Sequence, residues 1–217
     1  EQRWIASAEL EERIEYANRF YSPSAVGGVE DTEGAGTNDS LFATTDLPGG
    51  SYFPAGVKEE QYADVGNAVH GYFGALPSLV NMDAASKSVV AERCLAAFRV
   101  TGVISAEDLV ATGERFSKWV SDEYPSATWH TEVPATGPRS SSGQWNGTLD
   151  LVLQLANGGV VIIDHKSAIK RDACAERAAL YTEQLLAYRE MLVASDHEVQ
   201  ACWIHFPLAG VMAKQTA

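Results

Sequence analysis

Apolar residues along this chain change period three times, and the changes mark out its elements. Trp4, Ile5, Leu10, Ile14 and Ala17 fall near helical spacing, predicting a helix over 3–20 that Ser22-Pro23-Ser24 ends. Residues 22–57, with seven glycines and much Ser, Thr and Asp, read as a long loop, partly ordered by Leu41, Phe42, Tyr52 and Phe53. Helices are predicted near 58–76, 84–98 and 106–123, the last opened by the capping-box-like Ser105-Ala106-Glu107-Asp108. The pattern then turns strand-like near 128–133, 145–155 and 160–166, with a Pro-, Gly- and Ser-rich loop from Pro134 to Gly143. A helical stretch from Asp172 to Ala194 and a final strand near 198–206 complete the reading. Hairpin, crossover helix and strand in that order predict an α/β (α+β) domain with a mixed sheet flanked by helices. The expected division is an N-terminal helix and Gly/Ser-rich loop over 1–57, then one domain over 58–217, with no internal repeat.

The strands near 145–155 and 160–166 are joined through Asn157-Gly158-Gly159, which favours a tight reversal. Register decides which side chains they share, because a slip of one residue turns a whole strand over. A two-residue Asn157-Gly158 loop sets Asp150 opposite His165. A three-residue loop from Asn157 to Gly159 pairs Ala156 with Val160 and Asp150 with Lys166, bringing Asp150, Asp164 and Lys166 to one face, and this register or a bulged equivalent is expected. One Asp-x-Lys is ordinarily a solvated edge. Here, however, it ends Val160–Ile163, a continuous apolar run suited to a strand buried on both faces, where charge is costly unless paired or bound to metal.

Composition sets outer limits. With 217 residues, 46% of them hydrophobic, the chain can bury one full core. No apolar run reaches the ~18 residues of a membrane helix, and no signal peptide is visible. A soluble, cytoplasmic protein is expected. Cys94, Cys174 and Cys202 are odd in number and widely spaced, which suits reduced thiols.

Further signals surround the Asp-x-Lys. Gly66 and His70 are one turn apart on an amphipathic helix; Glu132-Val133-Pro134 ends a β-like run; Gly147-Thr148-Leu149-Asp150 precedes Asp164-His165-Lys166; and Gln184 and Tyr188 share a helix face, with Tyr181 nearby. Over residues 60–206 this order, Gly-x-x-x-His, Glu-x-Pro, Gly-x-x-Asp, Asp-x-Lys and Gln-x-x-x-Tyr, resembles the RecB/AddA-type nuclease domain of the PD-(D/E)XK superfamily. The resemblance implies a restriction-endonuclease-like core and a metal held by His70, Asp150, Asp164 and the backbone carbonyl of His165. It implies an outer carboxylate in Glu132, a Lys166 that orients water or stabilises phosphate charge, and a Gln184 and Tyr188 that hold that lysine or the nucleic-acid backbone. Carboxylate oxygens suit Mg²⁺ or Mn²⁺. The cysteines lack the grouping of the iron–sulfur relatives, so no cluster is expected. His130, His197 and His205 carry no signal.

From the resemblance, the expected function is that of a metal-dependent deoxyribonuclease, an exonuclease of an ATP-dependent superfamily-1 helicase-nuclease in recombinational DNA repair. The expected partners are DNA ends, motor domains of the same polypeptide and a second nuclease/helicase subunit, with no membrane. A net charge of −13 is the wrong sign for gripping a polyanion alone. Residues 1–60, with 12 acids and 4 bases, account for −8 of it. The chain starts at Glu1 and has no Gly-x-x-x-x-Gly-Lys-Ser/Thr loop, so ATP would act in a helicase portion elsewhere, and the expected context is the C-terminal domain of a longer protein. The rival reading is a non-catalytic nuclease-like module that binds DNA or braces a subunit. A solitary restriction-type or phage nuclease would need a basic cleft that the sequence does not display.

Overall fold

Six consecutive buried residues, Val160–His165, form the strand β5 at the middle of the molecule. The computed structural model describes residues 20–26, 41–49, 57–140, 143–167 and 173–216. The helix expected over 3–20 falls, up to residue 19, outside the described residues. In chain order the other elements are β1 (Phe20–Tyr21), α1 (Pro23–Val26), β2 (Phe42–Asp46), a 3₁₀ turn (Glu59–Gln61), α2 (Tyr62–Leu79), α3 (Ala84–Ala97), α4 (Ala106–Glu123), β3 (Thr128–Pro138) and β4 (Gln144–Gln154), followed after β5 by α5 (Cys174–Ala179), α6 (Thr182–Val193), β6 (Val199–Phe206) and β7 (Val211–Gln215).

The sheet is seven-stranded and mixed, in the order β1-β4-β5-β6-β7-β2 with β3 on the other side of β4. β5 and β6 run parallel, joined by the α5–α6 crossover, while β4–β5, β6–β7 and β2–β7 are antiparallel. Helices cover both faces. Leu151, Leu153, Val161, Ile163 and Trp203 pack with residues of α2, α3 and α4. Val152, Val160, Ile162 and Ile204 pack with residues of α5 and α6. Both faces of β5 are thus dry, which is why its sequence shows no alternation.

Several expectations need correction. The stretch 172–194 is not one helix: Leu180 and Tyr181 form a turn between α5 and α6, with the Tyr181 amide bonded to the Ala178 carbonyl at 3.0 Å and Tyr181 at φ −103°, ψ 9°. The loop expected from Pro134 onward is strand as far as Pro138. β3 pairs only with β4 among the described strands, so a proline's missing N–H on its outer side removes no ladder bond. Within the segment taken as loop, Phe42 anchors β2 in the apolar cluster under α5 and α6. Nor is the strand ending at Phe206 the last: Pro207–Gly210 reverse the chain into β7.

The hairpin register differs by two residues from the expected one. Leu151 pairs with Ile163 and Gln154 with Val160, and the Leu155 amide bonds to the Gly159 carbonyl at 2.8 Å. The reversal therefore occupies Ala156-Asn157-Gly158, one residue earlier than expected, with Gly158 at φ +87° and the Gly159 amide bonded to Asn157 Oδ1 at 3.0 Å. Continued by one rung, this register sets Asp150 across from Asp164 rather than from Lys166.

Candidate active site

A change of side-chain direction in β3 and β4 shapes the site. Leu151 and Leu153 pack on the α2–α4 side, and so does Trp129. Leu149, Trp145, Val133 and Ala135, all with the same odd parity, pack on the α6 side instead. The register is the same on both sides, pairing Thr131 with Leu151 and Val133 with Leu149, while Glu132 and Asp150 between them are not paired. Both strands therefore rotate at the intervening rung of Glu132 and Asp150. Glu132 sits at φ +52°, in the left-handed region that costs a residue with a Cβ about 1–3 kcal/mol. The rotation sends consecutive residues to one side: Thr131 Oγ1 donates to the Gly74 carbonyl of α2 at 2.9 Å, and Glu132 also reaches α2.

On α2, His70 meets both carboxylates of that rung, with Nε2 2.8 Å from Glu132 Oε1 and Nδ1 3.6 Å from Asp150 Oδ2. Asp150 Oδ2 also accepts the His165 amide at 2.8 Å, where β5 departs from β4 and that amide has lost its ladder partner. Gly66, one turn before His70, lies against Ser167: a Cβ there would stand 2.5 Å from its Oγ, which can rotate away. Gly74 lies against the Glu132 side chain.

The second group gathers at the end of β5. Asp164 is 1% exposed, Lys166 Nζ stands 2.8 Å from its Oδ2, and Gln184 Nε2 donates to its Oδ1 at 3.3 Å. Gln184 Nε2 also lies 2.9 Å from the Tyr188 hydroxyl, which donates to the Thr148 carbonyl at 2.9 Å on the stretch of β4 freed by β5. Tyr181, in the turn between α5 and α6, places its ring 4.8 Å from Lys166 Nζ. Lys166 thus turns to Asp164, and Asp150 to His70 and the β5 backbone; the two carboxylates oppose each other across the diverging strands.

Burial and the neighbouring Asp164 charge push the Asp150 carboxyl up to about 7, against weaker attraction from His70. Asp164 is raised too, by burial, with Lys166 opposing. Burial alone would pull Lys166 down, but the attraction of Asp164 outweighs it and the ammonium is held above its ordinary range. Two buried carboxylates share one ammonium, an arrangement with excess negative charge.

The His165 side chain is structural, as its face of the strand suggests, but its partner was not legible. His165 and His205 occupy paired positions on β5 and β6, with Nδ1 atoms 3.0 Å apart, so one donates and the other accepts. They pack among Phe73 and Phe116. Burial lowers His165 to about 3 and His205 well below the usual imidazole range, so the His165 ring belongs to the core while its backbone belongs to the site. No local signal marks this pair, because it arises from parallel strands 40 residues apart. His130 lies away from these groups, 3.4 Å from Gln154.

Among the described residues, no three His, Cys, Asp or Glu side chains converge as they stand at a spacing that would hold a metal ion. No helix among them is long and apolar enough to cross a membrane.

No curated protein matches the chain. The crystal structure of SSO0001 is similar at 18% identity and a TM-score of 0.30, over 70% of this chain and 65% of that one, so the chain spans less than two-thirds of that structure. The family model of the PD-(D/E)XK nuclease superfamily matches residues 48–211. That span contains His70, Glu132, Asp150, Asp164, Lys166, Gln184 and Tyr188, and a match over most of the chain shows that it belongs to the PD-(D/E)XK nuclease superfamily.

Proposed function

We propose that the chain is a divalent-metal-dependent deoxyribonuclease domain, acting as an exonuclease within a RecB/AddA-type helicase-nuclease of recombinational repair. The observation that carries the catalytic part is the ion pair of Lys166 with the buried Asp164, opposite Asp150 at the point where two strands part. The donor set fits a hard cation by its chemistry: two carboxylates raised by burial, Asp150 also by the Asp164 charge, carry charge that a divalent ion relieves. Asp150, Asp164, His70 and the His165 carbonyl would hold it, with Glu132 outside. A bound Mg²⁺ or Mn²⁺ supplies Lewis acidity and a more acidic water.

The chain's own groups divide the remaining work. Lys166, protonated and fixed by Asp164, offers an ammonium to charge developing on phosphate oxygens. Gln184 and Tyr188 hold Asp164 and the freed carbonyl of Thr148, so the end of β5 keeps its direction. His70 restrains Glu132 and Asp150 together.

Attachment to a helicase motor rests on the resemblance of the five motif elements and on a charge of −13, which leaves the grip on DNA to another domain. The nuclease unit is taken as 58–217, with β1 and β2 of the preface 1–57 completing its sheet. A second reading, a nuclease-like module that binds DNA or braces a subunit without cutting, is favoured by that acidic surface. The deciding experiment is Mg²⁺-dependent cleavage of a single-stranded oligonucleotide by the parent and by Asp164→Ala. Loss of cutting with retained fold supports the enzyme; a parent that binds DNA but never cuts it supports the module.

A further inference from the structure

The rotation of β3 and β4 at Glu132 and Asp150 has a second outcome beyond the site. Past that rung the odd residues turn to α6, so the even ones emerge on the side of His70 and the carboxylates. These are Pro134, Thr136 and Pro138 on β3 and Thr148, Asn146 and Gln144 on β4, all exposed. They form three cross-strand rungs, Pro134–Thr148, Thr136–Asn146 and Pro138–Gln144. At about 3.3 Å per residue the strip extends roughly 20 Å from the Asp150 rung.

Its chemistry stands apart from the rest of the surface. The chain has 29 acidic and 16 basic residues, yet no acid lies on this strip. Among the described residues, its four polar side chains have no hydrogen-bond partner. Hydroxyl and amide side chains of this kind contact the phosphates and sugars of nucleic acids without reading sequence. The opposite side of the same two strands is closed by α6, where a Cβ on Gly137 would stand 2.9 Å from the Met191 backbone.

We propose that this open face of the β3–β4 hairpin is the track along which a single nucleic-acid strand runs to the carboxylates. The inference rests on the nuclease reading and adds where the strand lies. A neutral track lowers repulsion from an acidic protein without the tight, salt-sensitive grip of a basic groove, so the strand slides rather than sticks.

The test is fluorescence anisotropy of a labelled single-stranded oligonucleotide with the full chain in the absence of divalent ions, together with cleavage of the same oligonucleotide in Mg²⁺. Asn146→Lys is expected to tighten binding roughly fivefold, and Asn146→Asp and Thr136→Asp each to weaken it to a similar degree, the effect of one unit charge near a phosphate in water. Ala96→Asp, exposed on α3, is expected to leave binding unchanged. Because the altered positions are exposed, melting temperatures should stay close to the parent's. If both Asn146 variants and Thr136→Asp bind like the Ala96→Asp control, or if the parent binds no oligonucleotide at millimolar protein, the track is overturned. A parent that binds but does not cut removes the nuclease reading, and the response of binding to Asn146 then still decides the track.

Discussion

The Asp150 carboxyl carries the most testable electrostatics in the molecule. Its folded value of about 7 lies well above the usual carboxylate range, because burial and Asp164 both oppose its charge. A raised carboxyl contributes stability that is fully present below its unfolded value, near 4, and lost as pH rises through about 7. Asp150→Asn keeps an oxygen for the His165 amide and removes the charge. In EDTA it should melt close to the parent at pH 4 and above it at pH 8. Equal melting temperatures at pH 8 would show that Asp150 bears no such strain. The same excess charge predicts that Mn²⁺ raises the parent's melting temperature more at pH 8 than at pH 6, measured by differential scanning fluorimetry, since protons compete for the ligand.

The hairpin explains what the sequence made legible. The side chains of Asp164 and Lys166 were expected to share one direction because strand residues two apart do, and the structure pairs them at 2.8 Å. The partner of Asp150 differs from the expected one, because Asn157-Gly158-Gly159 permits a three-residue reversal at two places and the one adopted, with Gly158 at positive φ, shifts the register by two. The rotation at Glu132 had no sequence signal at all: left-handed backbone at a glutamate is imposed by helices on opposite sides of the two strand halves. Glu132→Gly, which adopts φ +52° freely, should therefore offset much of its entropic cost, changing urea stability by no more than about 1 kcal/mol in either direction, while cleavage falls. Gly137→Ala should behave oppositely. Its Cβ would meet the Met191 backbone at 2.9 Å, so α6 must shift, with an expected loss of about 1–3 kcal/mol by urea titration and slower cutting through Gln184 and Tyr188.

Across the described residues, most helices and both apolar faces of the central strands follow from pattern, whereas β2 and β7 did not, being strands of only five residues each, β2 at the edge of the sheet and β7 beside it. The acidic balance governs behaviour in solution. With −13 net charge, few counterions are released on binding, so DNA affinity should be weak and fall only shallowly with salt. A protein joining this domain to helicase motors should bind far more tightly and with a steeper slope, as measured by anisotropy across a salt series. Equal slopes would contradict the division of grip and cut.

The central claim is that Lys166 and the carboxylates beside it perform hydrolysis, and single-turnover cleavage of a single-stranded oligonucleotide in Mg²⁺ by parent and Lys166→Ala tests it most directly. An ammonium that acts on transition-state charge is worth ~3 kcal/mol, so the rate should fall roughly a hundredfold or more while DNA and metal affinities stay near the parent's. Lys166→Arg should not restore it, because a planar guanidinium cannot replace a compact ammonium 2.8 Å from Asp164. A Lys166→Ala protein that cuts at the parental rate would contradict the account.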